Sequence, residues 1–96
     1  MSGPVIHRFR VTGRVQGVGF RWFVREQARA LGVRGWVQNE PDGSVVTEVA
    51  GAAEAVHALR DAVSRGPVGA HVTAVSASEP PEDDLVSLPM PFSVRR

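Results

Sequence analysis

Ninety-six residues, 43% apolar and 22% charged, describe one globular domain spanning residues 1–96 with room for a single core. No apolar run approaches the ~18 residues of a membrane helix, and Met1-Ser2-Gly3-Pro4 leads straight into a strand-like run, so neither a membrane span nor a secretory leader is expected. The chain has no Cys, Lys or Tyr, which excludes disulfides, thiolate metal sites, a cysteine nucleophile, Schiff bases and a phosphate-binding lysine, and fits a cytoplasmic protein.

The charge is divided unevenly. Residues 1–34 hold seven Arg and one acid, Glu26, whereas residues 35–96 hold four Arg and nine acids. An anionic ligand would favour the first half, although most of these Arg read as solvated surface charges.

Val5 to Thr12 alternates with period 2, placing Val5, His7, Phe9 and Val11 on one face and Arg8 and Arg10 on the other, and Gly13 is expected to end that strand. From Phe20 the period changes. Phe20, Phe23, Val24, Ala28 and Leu31 form a helical stripe, Arg25 and Arg29 lie off it, and Gly32 is a natural stop. Val33 to Asn39 and Ser44 to Val49 are two strands joined by the turn Glu40-Pro41-Asp42-Gly43. Ala52 to Arg65 is a second helix with Val56, Leu59 and Val63 inward, halted by Gly66-Pro67. His71 to Ser76 is a fourth strand whose buried face its small residues leave undecided. Glu79 to Asp84 reads as an acidic, proline-rich loop, and Phe92-Ser93-Val94 as a short C-terminal edge strand. The order β-α-β-β-α-β predicts an α+β, ferredoxin-like sandwich: an antiparallel sheet with both helices on one face.

Between the first strand and first helix lies Val15-Gln16-Gly17-Val18-Gly19-Phe20-Arg21. Two glycines in three residues permit positive φ, a geometry that turns successive N–H groups into one concavity. The following helix adds unsatisfied N–H groups and the positive end of its dipole. Arg21 contributes a permanently charged, forked donor. Together they read as a site for a tetrahedral oxyanion, most simply a phosphoryl group. Hydrolysis there would further need a neutral polar group to place water, since a carboxylate would repel the phosphate. Asn39 is the one Asn in the chain and stands at a strand end. If that end lies adjacent to the first strand, Asn39 reaches the loop; otherwise it is simply a turn residue.

Other chemistries lack their residues. A cysteine phosphatase would need its nucleophile where Val15 stands. His7, His57 and His71 are scattered and fit no metal or phosphohistidine pattern, and Ser44 lacks the setting of a nucleophile elbow. Phe20 and Phe23 fit the core better than a base-stacking platform.

Residues 11–21, Val11-Thr12-Gly13-Arg14-Val15-Gln16-Gly17-Val18-Gly19-Phe20-Arg21, resemble the first acylphosphatase signature at every defined position. Gly35-Trp36-Val37-Gln38-Asn39, followed by Gly43-Ser44-Val45 and Gly51, resemble the second with its spacing intact. The element order and the tail Phe92-Ser93-Val94-Arg95 extend the resemblance over nearly the whole chain. The resemblance implies hydrolysis of the carboxyl–phosphate bond of acyl phosphates. It implies that the backbone of Val15, Gln16, Gly17, Val18, Gly19 and Phe20, with Arg21, binds the phosphate, and that Asn39 orients the attacking water. It implies no metal or organic cofactor and a small acyl phosphate as substrate, with inorganic phosphate or sulfate able to occupy the loop; a monomer is expected, since nothing in the sequence demands a partner.

Two other readings stand beside it. A ferredoxin-like RNA binder would need aromatics across the open sheet face; the only candidates are Phe9 and Trp36, and no RNA-binding run is present, so nucleic acid is not expected. An acylphosphatase-like module acting on carbamoyl phosphate inside a larger maturation protein would need further domains, and the chain stops at Arg96.

Overall fold

The computed structural model describes residues 3–80 and 87–96. Strand β1 spans Val5–Arg14, helix α1 Phe20–Leu31, β2 Arg34–Asn39, β3 Val45–Gly51, helix α2 Ala53–Arg65, β4 His71–Ser78 and β5 Ser93–Arg95. The strands form one sheet in the order β4-β1-β3-β2-β5. The ferredoxin-like α+β arrangement is therefore present, and most elements lie within two residues of their expected bounds. Of the expected acidic loop, Pro81 to Asp84 lie outside the described residues.

The apolar periodicities explain the layers. Phe9 and Val11 of β1, Val37 of β2, and Val45 and Val49 of β3 are buried on one sheet face. Phe20, Val24 and Ala28 of α1 close over them, with Val56, Leu59 and Val63 of α2. The stripes thus meet in one core, whose burial is the main favourable term in folding. The opposite face is not bare. Ile6, Trp36, Val46, Ala50 and Leu88 make a second buried cluster, with Leu88 supplied by the segment returning from β4.

The structure departs from expectation in three places. β1 does not end at Gly13 but runs to Arg14 through an irregularity between Thr12 and Gly13. A Cβ at Gly13 would lie 2.1 Å from the His71 carbonyl oxygen, so the absent side chain is what lets β4 stay paired there. The same irregularity settles the ambiguous face of β4. Val75 pairs with Val11 and Val72 with Gly13, leaving Thr73 as the extra residue. Val72 and Val75, three apart, can then both pack on the core, which strict alternation forbids. Finally, the sheet is mixed. β1, β2, β3 and β4 pair antiparallel, but β5 runs parallel to β2. The incoming chain is tied at the start of β2, where Arg34 Nε donates to the Leu88 carbonyl (3.0 Å) and Gly35 N to the Pro89 carbonyl (2.9 Å), so it enters from the same end as β2.

One consequence of the topology positions the functional residues. β1 and β2 both run antiparallel to β3, so they are parallel to each other and end at the same edge of the sheet. Val45 pairs with Val11 on one side and Asn39 on the other.

Candidate active site

At that sheet end β1 gives way to the loop before α1. Gly17 and Gly19 take φ of 74° and 77°, the left-handed region expected of them, and Gly19 caps α1. No side chain caps this helix, and its first turn carries no acid. Its first intrahelical bond runs from Phe23 N to the Gly19 carbonyl (3.0 Å). Among the described residues, no protein acceptor takes the backbone N–H groups of residues 16–22. Unsatisfied donors at the positive end of a helix are an anion-binding array in themselves.

Asn39 is not on the strand next to β1, the condition under which it was expected to reach the loop; β3 lies between them. Gln16 bridges the gap. Its Nε2 donates to the carbonyls of Glu40 (2.8 Å) and Ser44 (2.9 Å), fastening the loop to the β2–β3 turn just beyond Asn39. The result is a cavity of about 310 Å³ whose lining includes Val15, Gly17, Gly19, Phe20, Arg21 and Asn39. Of the eight residues expected at the site, Gln16 and Val18 do not line it. Gln16 has its amide committed to the turn, and Val18 packs partly against the core.

The two polar side chains in this group are placed differently. Arg21 has no acidic partner among the described residues; its Nη1 makes one long bond, 3.5 Å, to the Arg95 carbonyl. Its charge is therefore undiminished. Asn39 Oδ1 is buried without a hydrogen-bond partner, the one such side-chain atom among the described residues. Burying an acceptor unmatched costs about 1–3 kcal/mol, so its persistence at a cavity wall points to use there.

The sequence reading missed Trp22, Arg25, Val94 and Arg96, which also line the cavity. A signal existed for Arg25: it stands four residues after Arg21 and so shares its helix face. Among the described residues, no Asp or Glu lines the cavity. A larger cavity, about 520 Å³, lies on the opposite sheet face beside Arg8, Trp36 and Glu48. There Arg8 is ion-paired with the buried Glu48, its Nε 3.0 Å from the carboxylate. Among the described residues, no three His, Asp or Glu gather as a metal site would require.

Comparison with known proteins agrees with this geometry. The acylphosphatase family model matches residues 7–87. An acylphosphatase of Rhizobium etli is 47% identical over 87 residues, covering 91% of this chain and 89% of that protein. The structure of an acylphosphatase from Coxiella burnetii superposes with a TM-score of 0.87 at 32% identity, covering 97% of this chain and 94% of the other. The crystal structure of the acylphosphatase from Bacillus subtilis gives 0.82 at 34% identity, covering 95% and 98%. With the loop, the arginine and the unpartnered asparagine gathered at one end of a sheet of this topology, the chain belongs to the acylphosphatase family, hydrolases that act on acyl phosphates.

Proposed function

We propose that this protein hydrolyses acyl phosphates in the cavity between the 15–20 loop and Asn39, by in-line attack of water on the phosphoryl group. The observation that carries the reading is Asn39, with its buried and unpartnered Oδ1, in the lining of the cavity that Arg21 also lines. The free N–H groups of the loop and of the first turn of α1 hold the equatorial oxygens, and Arg21 balances their charge. Asn39 Oδ1 accepts a hydrogen bond from the water, which leaves a lone pair of the water oxygen aimed at phosphorus. As the new O–P bond forms, the bond to the acyl oxygen breaks and its electron pair leaves on the carboxylate. One water proton passes to a phosphoryl oxygen, so the products are a carboxylate and inorganic phosphate.

A carboxylate is a weak base and needs no general acid to depart, which suits a cavity lined by no His, Asp or Glu. Every group in this scheme comes from one chain, which supports action as a monomer. Inorganic phosphate, like sulfate, matches the same donors and is expected to inhibit competitively.

The test is the turnover of Asn39 variants. Asn39→Ala is expected to lower kcat by about 10²–10³-fold with a smaller change in KM, because water placement matters in the transition state. Asn39→Asp is expected to fail as well: it keeps an acceptor but sets a negative charge against the phosphate. A folded Asn39→Ala protein with kcat within about twofold of the parent would remove Asn39 from the mechanism.

A further inference from the structure

A phosphoryl group between the loop and Arg21 leaves other lining residues of the cavity unused, Trp22, Arg25 and Arg96 among them. Trp22 is 60% exposed, unusual for the largest apolar side chain in a small protein. The Arg25 guanidinium sits 5.6 Å from the centre of the Trp22 ring, within cation–π range. Its Nε and Nη2 both donate to the Glu26 carboxylate, at 3.2 and 3.1 Å. Arg25 is thus held from two sides, its side chain 31% exposed, and Nη1 has no protein partner among the described residues. Arg96 makes no hydrogen bond or ion pair among the described residues.

The spacing sets what could reach Arg25. Residues four apart on a helix are separated by about 6 Å along its axis. An acyl phosphate with phosphorus at Arg21 and a second anion about 6 Å further along the acyl chain would meet both guanidiniums. An extended succinyl phosphate has that reach, roughly the advance of five single bonds. Acetyl phosphate ends too early.

We infer that Trp22 and Arg25 form an acyl-side subsite that selects acyl phosphates bearing a carboxylate on the acyl group, an inference that rests on the acyl phosphate hydrolysis proposed above. Arg25 receives the carboxylate through Nη1. Trp22 covers the methylene chain and keeps the guanidinium oriented. Because Glu26 and Trp22 already immobilise Arg25, little ordering entropy remains to oppose binding.

The experiment compares kcat/KM for succinyl phosphate with that for acetyl phosphate, and the readout is the ratio of the two. In Arg25→Gln the ratio is expected to fall about tenfold, the usual worth of a partly exposed charge-assisted contact. In Arg25→Lys, which keeps the charge without the planar, forked donor, a smaller fall is expected. Arg29→Gln removes the same charge one turn further along α1, where Arg29 Nε is bonded to the Phe92 carbonyl (3.0 Å) and does not line the cavity; its ratio is expected to stay within about twofold of the parent. An unchanged ratio in Arg25→Gln overturns the subsite, and so does an equal fall in Arg29→Gln, which would mark a diffuse field. If the unmodified protein releases no phosphate from acetyl phosphate, the hydrolysis itself is overturned, an outcome distinct from either.

Discussion

Two glycine-containing turns lie side by side at one end of this sheet, and they differ in where their hydrogen bonds go. The turn at residues 40–43 satisfies itself. Glu40 N donates to the Ser44 carbonyl, Gly43 N to the Glu40 carbonyl, and Ser44 offers both its N–H and its hydroxyl to Asp42 Oδ1. Arg10 adds contacts to Asp42 and Ser44. The loop before α1 keeps its N–H groups for no protein partner, and the acid-free turn of helix beyond it does the same. Both turns rely on glycine at positive φ, but their hydrogen-bond accounting differs. A turn with its donors spent is architecture, and one with donors left over at a helix N-terminus is equipped to bind an anion.

The sharpest way to break that contrast is to remove the charge the open loop depends on. Arg21→Ala is expected to lower kcat/KM by about 10³-fold, since an unpaired guanidinium at a phosphoryl site supplies both binding and transition-state charge. Steady-state kinetics with a simple acyl phosphate reads this directly, and a loss below about tenfold would mean that the backbone donors suffice.

A matched pair of glycine substitutions comes next. Gly19 and Gly43 have φ of 77° and 93°, and an added Cβ at either would meet nothing within 4 Å. Both Ala variants therefore bear only the conformational cost, about 1–2 kcal/mol of stability. Gly19→Ala is expected also to lower kcat/KM by about tenfold as the array of N–H groups shifts, whereas Gly43→Ala keeps its activity. Denaturant melts and kinetics on the two proteins would separate the effects; equal activity losses would erase the distinction between the turns.

The smallest expected effect concerns pH. The hydroxyl and backbone N–H of Ser44, and then the nearby Arg10, hold the Asp42 carboxyl below its ordinary value of 3.8. A carboxyl depressed on folding contributes stability that is present above the unfolded value and lost as pH falls below it through the folded value. The unfolding midpoint should therefore decline as pH drops below 3.8, and less steeply in Asp42→Asn. Kinetic constants near neutrality should not follow, because this turn does not line the cavity.

Much of this arrangement was legible in the chain. The 3.6-residue stripe from Phe20 to Leu31 and the alternation through Phe9 and Val11 are local signals, and they place helices and core strands without help from the rest of the molecule. The buried face of β4 was not legible, because the bulge opposite Gly13 resets its alternation and lies in the pairing of two distant segments. Gln16 illustrates the same limit at the site. Its place in the loop suggested a backbone contact to phosphate and said nothing of its side chain, whose amide ties the loop to Glu40 and Ser44, acceptors more than 20 positions away in sequence.

The amino-acid sequence by itself determined the donor-rich, positively charged character of the loop, through two glycines, a following helix and Arg21, since φ preference, helix N-terminal donors and fixed charge are properties of neighbouring residues. Only the tertiary structure decided that Asn39 belongs with them. β3 had to intervene between β1 and β2 so that both end at one edge, and Gln16 had to tie the loop across. It also decided that Asn39 keeps a buried acceptor unmet and that Trp22 and Arg25 share the cavity. Burial and hydrogen-bond satisfaction depend on what the rest of the chain brings near, and no local pattern encodes them.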